Sequence, residues 1–262
     1  MSQIRQPAVA GMFYPDDPAV LRRQVRDLLA AAESPTEPPP KAIIAPHAGY
    51  VYSGPVAASV YGRLGRARDH IRRVVLLGPS HRVPFHGLAA PSSEAFRTPL
   101  GDIPVDTEAI AGLRDFPQVQ VRDDAHALEH SLEVQLPFLQ EVLGEFRLIP
   151  LVVGDASYAE VREVLDHLWG GEETLIVISS DLSHYHDYDT ARALDRATSV
   201  AIEALAPERI DYDHACGRTP VGGLLQAARA RGLHAHTLDL RNSGDTAGPR
   251  DRVVGYGAYA ID

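Results

Sequence analysis

The sequence predicts an α/β fold: one domain, residues 1–262, built on a mixed and largely parallel central sheet flanked by helices. Three observations predict it. Short apolar runs rich in β-branched residues occur at 41–45, 73–77 and 174–178, each the length of a buried strand. Stretches of helical periodicity separate strand from strand, as the crossovers between parallel strands require. Each run also ends abruptly in polar residues: Pro46-His47, Pro79-Ser80-His81, and Ser180-Asp181 followed by Ser183-His184. Open α/β sheets bind ligands outside the carboxyl ends of their strands. Three tips that each offer a histidine therefore point to one shared crevice rather than to three separate loop residues.

Residues 1–14 read as an irregular lead-in. Asp17-Pro18 supplies an N-cap and a first-turn proline for a helix in which Leu21, Val25, Leu28 and Leu29 repeat at helical spacing. The proline-rich stretch 34–40 is a semi-rigid connector. After the first strand, Gly49 and Gly54 allow close backbone approach, and a helix follows through Tyr61. The arginines at 63, 66, 68, 72 and 73 form the densest basic patch and read as a solvated face. Prolines 84, 91, 99 and 104 punctuate a β-rich excursion in which His86 is a surface or packing residue.

Residues 124–144 predict one long helix, with Leu128, Leu132, Leu136 and Leu139 along a stripe and a kink at Pro137. Within it, His126-Ala127-Leu128-Glu129-His130 matches the H-x-x-E-H pattern of inverted zinc peptidases. On a helix His126 and His130 would share a face, a zinc ion and a water activated by Glu129. The pattern is short, and the other reading makes His130 and Glu129 supports of the crevice. Further strands are expected at 146–154, 236–240 and 253–261, and helices at 158–169 and 190–205. His186 and Asp187 read as solvent loop, and 241–252 as a polar loop that borders the crevice or is simply a turn. Cys216 precedes a helix expected to be capped by Thr219 with Pro220 at its first position. Near a helix N-terminus and Arg218, its thiol is either a packed core group or one whose pKa falls to roughly 3.5–7.5.

The bulk properties restrict the partners. A 262-residue chain with 45% hydrophobic content buries a real core. A formal net charge of -10 without any long basic run argues against nucleic acid. No apolar stretch approaches the ~20 residues of a membrane span, and no signal-peptide-like region is present, so a cytoplasmic protein is expected. A single cysteine excludes an internal disulfide.

Taken in order, the segments 7–15, 46–54, Gly78-Pro79-Ser80-His81, Glu129-His130-Ser131-Leu132-Glu133, Ser179-Ser180-Asp181 with His184, and Cys216-Gly217-Arg218 resemble the Memo family over essentially the whole chain. Its bacterial and archaeal members are called AmmeMemoRadiSam system protein B. The family is similar in fold to LigB-type class III extradiol dioxygenases, which use non-haem iron(II). The resemblance implies His47, His81 and Cys216 as metal ligands. Asp181, His184 and His130 would be the catalytic groups around the open side. Iron(II) is the first expected metal, with copper or zinc as alternatives. LigB-type enzymes carry a glutamate where Cys216 stands, and a thiolate is softer and more easily oxidised, which favours copper or redox chemistry more than a carboxylate does. Three functions follow as expectations. One is a redox enzyme of dioxygenase type. Another is a metal-handling or peptide-recognition module that binds a small molecule or peptide without turnover. The third is a zinc hydrolase on His126, Glu129 and His130. The family name also implies a functional link to a radical-SAM protein and an AMMECR-domain protein.

Overall fold

The computed structural model describes residues 3–32 and 38–262. Most of the expected 34–40 connector lies outside the described residues. The lead-in is less irregular than expected: β1 (Ile4–Arg5) pairs in parallel with a later strand. Asp17 caps α1 (Pro18–Ala31) by accepting the backbone N–H groups of Ala19 and Val20. β2 (Ala42–Ala45) ends at Pro46 and leads through Gly49 into α2 (Tyr50–Tyr61), and β3 (Arg73–Pro79) follows. The proline-punctuated excursion forms β4 (Leu88–Ala90), β5 (Ala95–Thr98) and β6 (Gly101–Pro104). Among the described residues β1, β5 and β6 make a small separate sheet.

The chain continues through α3 (Thr107–Gly112), β7 (Val119–Val121), α4 (Asp123–Ala127), α5 (Leu136–Leu143) and β8 (Arg147–Val153). Then come α6 (Tyr158–Leu168), β9 (Thr174–Ser179), β10 (His184–His186) and α7 (Tyr188–Glu203). Last are α8 (Arg218–Ala230), β11 (Ala235–Asn242), α9 (Ser243–Thr246) and β12 (Val253–Ile261).

The main sheet runs β10-β12-β2-β9-β3-β8-β4-β7, with β11 along β12. Its centre, β2-β9-β3-β8, is entirely parallel, and antiparallel partners border it at β12 and β4. Side chains alternate across a strand, so each central strand feeds two cores. Ile43, Val74, Leu76 and Val177 pack on the α1, α2 and α5 side. Ala42, Ile44, Val75 and Ile178 pack on the α6, α7 and α8 side. The topology seats β9 between β2 and β3, so the three polar tips are neighbours at one edge.

Four local expectations are corrected. The helix foreseen over 124–144 is broken: α4 stops at Ala127, residues 128–132 turn, and a short 3-10 turn at Glu133–Gln135 leads into α5. The Glu129 carboxylate accepts the N–H groups of His130 and Ser131, offering that backbone an alternative to helical hydrogen bonds. Leu128 is consequently exposed rather than on a core stripe, and Pro137 lies in the first turn of a helix instead of kinking one. α8 begins at Arg218 with Gly217 as its cap, ahead of the expected Thr219. Arg63 is buried, not solvated, and its guanidinium donates to the Pro38 carbonyl.

The lead-in is tied down by one buried acid. Glu133 pairs with Arg5 and accepts the N–H groups of Ala8 (2.7 Å) and Val9 (3.0 Å) and the hydroxyl of Tyr14 (2.5 Å). Arg5 also donates to the carbonyls of His126 (3.1 Å) and Glu129 (2.6 Å). Removing one partner of a fully buried ion pair strands the other, at a cost of about 3–5 kcal/mol. Glu133→Ala is expected to lose that much stability in urea titrations, whereas Arg97→Ala, which breaks the exposed pair with Asp102, is expected to lose far less. Equal losses would contradict the clamp.

Candidate metal centre at the carboxyl edge of the sheet

His47 leaves the tip of β2 and is buried. Its Nδ1 lies 2.8 Å from the Ser179 hydroxyl oxygen at the end of β9. That hydroxyl donates its single proton to the Ser131 carbonyl (2.6 Å) and accepts from the Gln135 amide (2.8 Å). The remaining lone pair of Ser179 takes Nδ1–H of His47, so the Nε2 of this imidazole is unprotonated. Burial, followed by the neighbouring His81 and His130, holds the His47 pKa well below the usual histidine value. The ring is neutral and its free nitrogen lies 3.4 Å from the Cys216 sulfur.

His81, beyond β3, is held by the same logic. Glu129 accepts the backbone N–H of His81 (2.6 Å) through Oε2. Its Oε1 accepts Nδ1–H of His81 and the N–H groups of His130 and Ser131, each at 2.9 Å. Burial raises the Glu129 pKa, but these donors outweigh it and hold the group at about 2. A carboxylate with no proton requires the proton on Nδ1 of His81 and leaves Nε2 as the ring nitrogen not engaged by Glu129.

Cys216 reaches the same place because Gly217 sits directly against β9: a Cβ there would fall 2.6 Å from the Ser180 Cβ. The Gly217 N–H donates to the Ser180 hydroxyl (3.0 Å). Of the two readings of this thiol, the lowered pKa is the one that does not hold. Burial of the sulfur and the adjacent Asp181 push it well above the ordinary thiol value. Cys216 is therefore a neutral thiol, and only a cation bound beside it would remove that proton.

The ligand atoms of His47, His81 and Cys216 lie within 4.8 Å of one another. A second set, His81, Glu129 and His130, meets the same distance. Its carboxylate is already engaged by four N–H donors, three of them on Oε1, so the first set is the better donor site. Asp181 and His184 belong to neither set. Asp181 is buried, accepts the His47 N–H at 2.7 Å, and has its pKa raised by burial. His184 follows on β10, which pairs with residues 253–254 of β12, while residues 259–261 of that strand pair with β2. This register carries His184 past the tip of β2. Tyr185 beside it adopts a left-handed φ of 63°, which costs a non-glycine residue about 1–2 kcal/mol. The His130 ring stacks on His81 at 4.6 Å and meets Phe13 at 4.9 Å.

The zinc-hydrolase arrangement is not formed. His126 is buried 2.9 Å from the Ala89 carbonyl, burial lowers its pKa to about 4, and the break after Ala127 removes the shared helical face with His130. His86, expected as a surface or packing residue, is exposed beside Asp155. The loop after β11 does border the crevice: Ser243, Gly248, Pro249 and Arg252 line a cavity of about 700 Å³ over His47, His81, His130 and His184. Phe13 and Met12 of the lead-in complete it. Sequence reasoning missed the roles of Ser179, Ser131 and Gln135, whose partners are remote in the chain. It also missed the lining role of Phe13, although the 7–15 segment was among the resembling motifs.

A family model described as "Memo-like protein" matches residues 5–260. The chain is 38% identical over 265 residues to a "MEMO1 family protein" of Aquifex aeolicus, covering 97% of each. It is 37% identical over 290 residues to one of Aeropyrum pernix, covering 99% of this chain and 100% of that relative. Among solved structures, an uncharacterized protein of Escherichia coli K12 superposes with a TM-score of 0.53 at 13% identity. That match covers 82% of this chain and 98% of the other and is a likeness of fold.

The folded-state pKa of Glu129, about 2 against 4.5 for a free glutamate, amounts to about 3 kcal/mol. This contribution is complete above pH 4.5 and disappears as pH falls through the folded value. Glu129→Gln is expected to be less stable than wild type at pH 7, with the gap closing between pH 4.5 and 2 in denaturant titrations. A gap independent of pH would refute the assignment.

Proposed function

As the chain belongs to the Memo family, we propose that His47, His81 and Cys216 hold a redox-active metal, iron(II) first and copper or zinc as alternatives. We further propose that the cavity above them supports oxygen-dependent chemistry on a small molecule or peptide. The observation that supports this best is the convergence on one thiol of two imidazoles, each with its Nδ1 engaged by a hydrogen-bond partner. An N2S donor set suits iron, copper or zinc and leaves coordination positions open. When bound, iron or copper would supply a redox couple and a binding position for an exogenous ligand.

The chain's own groups divide the remaining work. Glu129 and Ser179 fix the tautomers and orientations of the two ligand histidines, the role of outer partners in metal sites generally. Asp181 anchors the His47 backbone. His184 borders the cavity next to the donors, where an imidazole accepts a proton from a ligand and returns it. His130, stacked on His81, closes the opposite side.

A second reading, recognition without turnover in the same pocket, is supported by the exposed apolar rim: Met12 is 72% and Tyr185 64% accessible. Substrate-dependent oxygen uptake that is lost in His184→Ala would select the first reading. Ligand binding with no oxygen uptake would select the second.

Anaerobically purified protein is expected to bind about one iron(II) or copper(I) per chain by elemental analysis. His47→Ala, His81→Ala and Cys216→Ala should each lose most of it, and His126→Ala should keep it. Metal retained by the first three variants would overturn the centre.

A further inference from the structure

The segment that carries His184 is weakly held by its own strand. β10 has three residues, its pairing with β12 shifts register between His184 and His186, and Tyr185 between them takes a left-handed φ of 63°. So short and broken a ladder does not by itself fix a side chain. A left-handed non-glycine residue persists only where its surroundings dictate it. What dictates it here stands behind the strand, on α7. Asp195 is 2% exposed, and its carboxylate accepts the Ser183 N–H at 3.0 Å. The Ser183 hydroxyl is fully buried, has no other partner and acts on the same carboxylate.

The other side of this carboxylate is shaped by β12. A Cβ at Gly255 would fall 2.0 Å from Asp195 Oδ2, so only glycine leaves room for the acid. Gly255 also receives the segment: its carbonyl accepts the Leu182 N–H and its N–H donates to the Ser183 carbonyl, both at 2.8 Å. Residues 182 and 183 are thus gripped between strand and helix immediately before His184. Beyond the turn, the Tyr188 N–H donates to the Arg250 carbonyl and Asp187 caps α7. α7 therefore begins where the segment ends and, about two turns on, reaches back to hold its start. Burial raises the Asp195 pKa to about 6, opposed by the Ser183 donors and by His186 on β10. The Tyr259 hydroxyl on β12 is committed to Ser199. An apolar side chain would fill this space without burying a charge, so what the acid adds is an acceptor for Ser183.

We propose that Asp195 is the positioning residue of His184. Held in the space that Gly255 leaves, it fixes Ser183 and imposes the turn through Tyr185 that sets the His184 imidazole at the wall of the cavity. The inference deepens the proposed function and rests on that reading only in giving His184 a proton-transfer role.

Metal-free protein carrying isotope-labelled histidine tests it by NMR, with the His184 resonance assigned by its absence in His184→Ala. Amide exchange of residues 182–187 is followed on the same proteins by mass spectrometry. Asp195→Ala is expected to speed exchange at 183–186 at least tenfold and to move the His184 signal toward that of the exposed His86, leaving His81 and His130 in place. Gly255→Ala, which puts a methyl group where the carboxylate lies, should release the segment in the same way with Asp195 intact, so the contact is tested from both sides. Asp195→Asn keeps an oxygen for the Ser183 N–H and should behave as wild type. Thr198→Ala, which loses a buried hydroxyl bonded to the Leu194 carbonyl of the same helix, should leave both readouts unchanged. An unaltered His184 signal and exchange rate in Asp195→Ala, a change that spreads to His81 and His130, an Asp195→Asn protein that stays released, or the same release in Thr198→Ala would each overturn the proposal. Oxygen uptake, where wild type shows it, is expected to fall at least tenfold in Asp195→Ala and no further when His184→Ala is added. A wild type without uptake removes the proposed chemistry and leaves the NMR and exchange results to decide this inference.

Discussion

The site depends on a shortage of protons. Glu129 is a buried carboxylate surrounded by four N–H donors, and Ser179 has one hydroxyl proton already given to the Ser131 carbonyl. Neither can donate to a histidine, so both histidines must donate Nδ1–H to them, and His47 turns its other nitrogen toward Cys216. The tautomers thus follow from counting donors and acceptors, and desolvation makes an unpaired group costly enough to enforce the count. The same constraint shapes the backbone. Residues 129–132 leave the helix because Glu129 serves His81 and the following N–H groups together, and because Ser131 donates to the Pro79 carbonyl while receiving from Ser179.

Two glutamates four residues apart therefore organise opposite sides of the cavity. Glu129 looks toward the β3 tip and sets His81. Glu133 looks toward the lead-in, where Arg5, Ala8, Val9 and Tyr14 converge on it. This second clamp brings Phe13 against His130, so residues near the start of the chain become wall for a site built by strands in its middle. The order β2-β9-β3 supplies the platform: Ser180 N–H donates to Ala45 O and Ser80 N–H to Val153 O, stitching the polar tips to neighbouring strand ends. Gly217 then lets the start of α8 press against β9 closely enough to add a sulfur. Within this candidate donor set the thiol is discouraged by burial from ionising alone. Any metal bound there would therefore couple its binding to deprotonation of the thiol.

What was legible in the sequence was whatever local pattern controls. An apolar run ending in Pro46-His47 or Pro79-Ser80-His81 states both the strand and its exposed tip, and the α/β grammar brings the tips together. The leucines at 128, 132, 136 and 139 misled because helical spacing survives in a segment whose backbone is claimed by partners elsewhere. Leu132, Leu136 and Leu139 are buried, and only Leu128 betrays the break by facing solvent. For the Cys216 thiol, sequence left two readings open. A nearby helix start and Arg218 argue for ionisation, but burial of the sulfur, with Asp181 just beyond β9 beside it, decides against it. Arg5 and the lead-in looked unstructured because their partners lie more than 120 positions away.

The claim on which the account rests is that one sulfur and two imidazoles share a metal. X-ray absorption at the edge of the anaerobically loaded metal, compared between wild type and Cys216→Ser, addresses it directly. The account predicts a single sulfur neighbour together with imidazole scattering in wild type, and loss of the sulfur component in the variant. A wild-type spectrum with only oxygen and nitrogen neighbours, or one unchanged by the substitution, would contradict it.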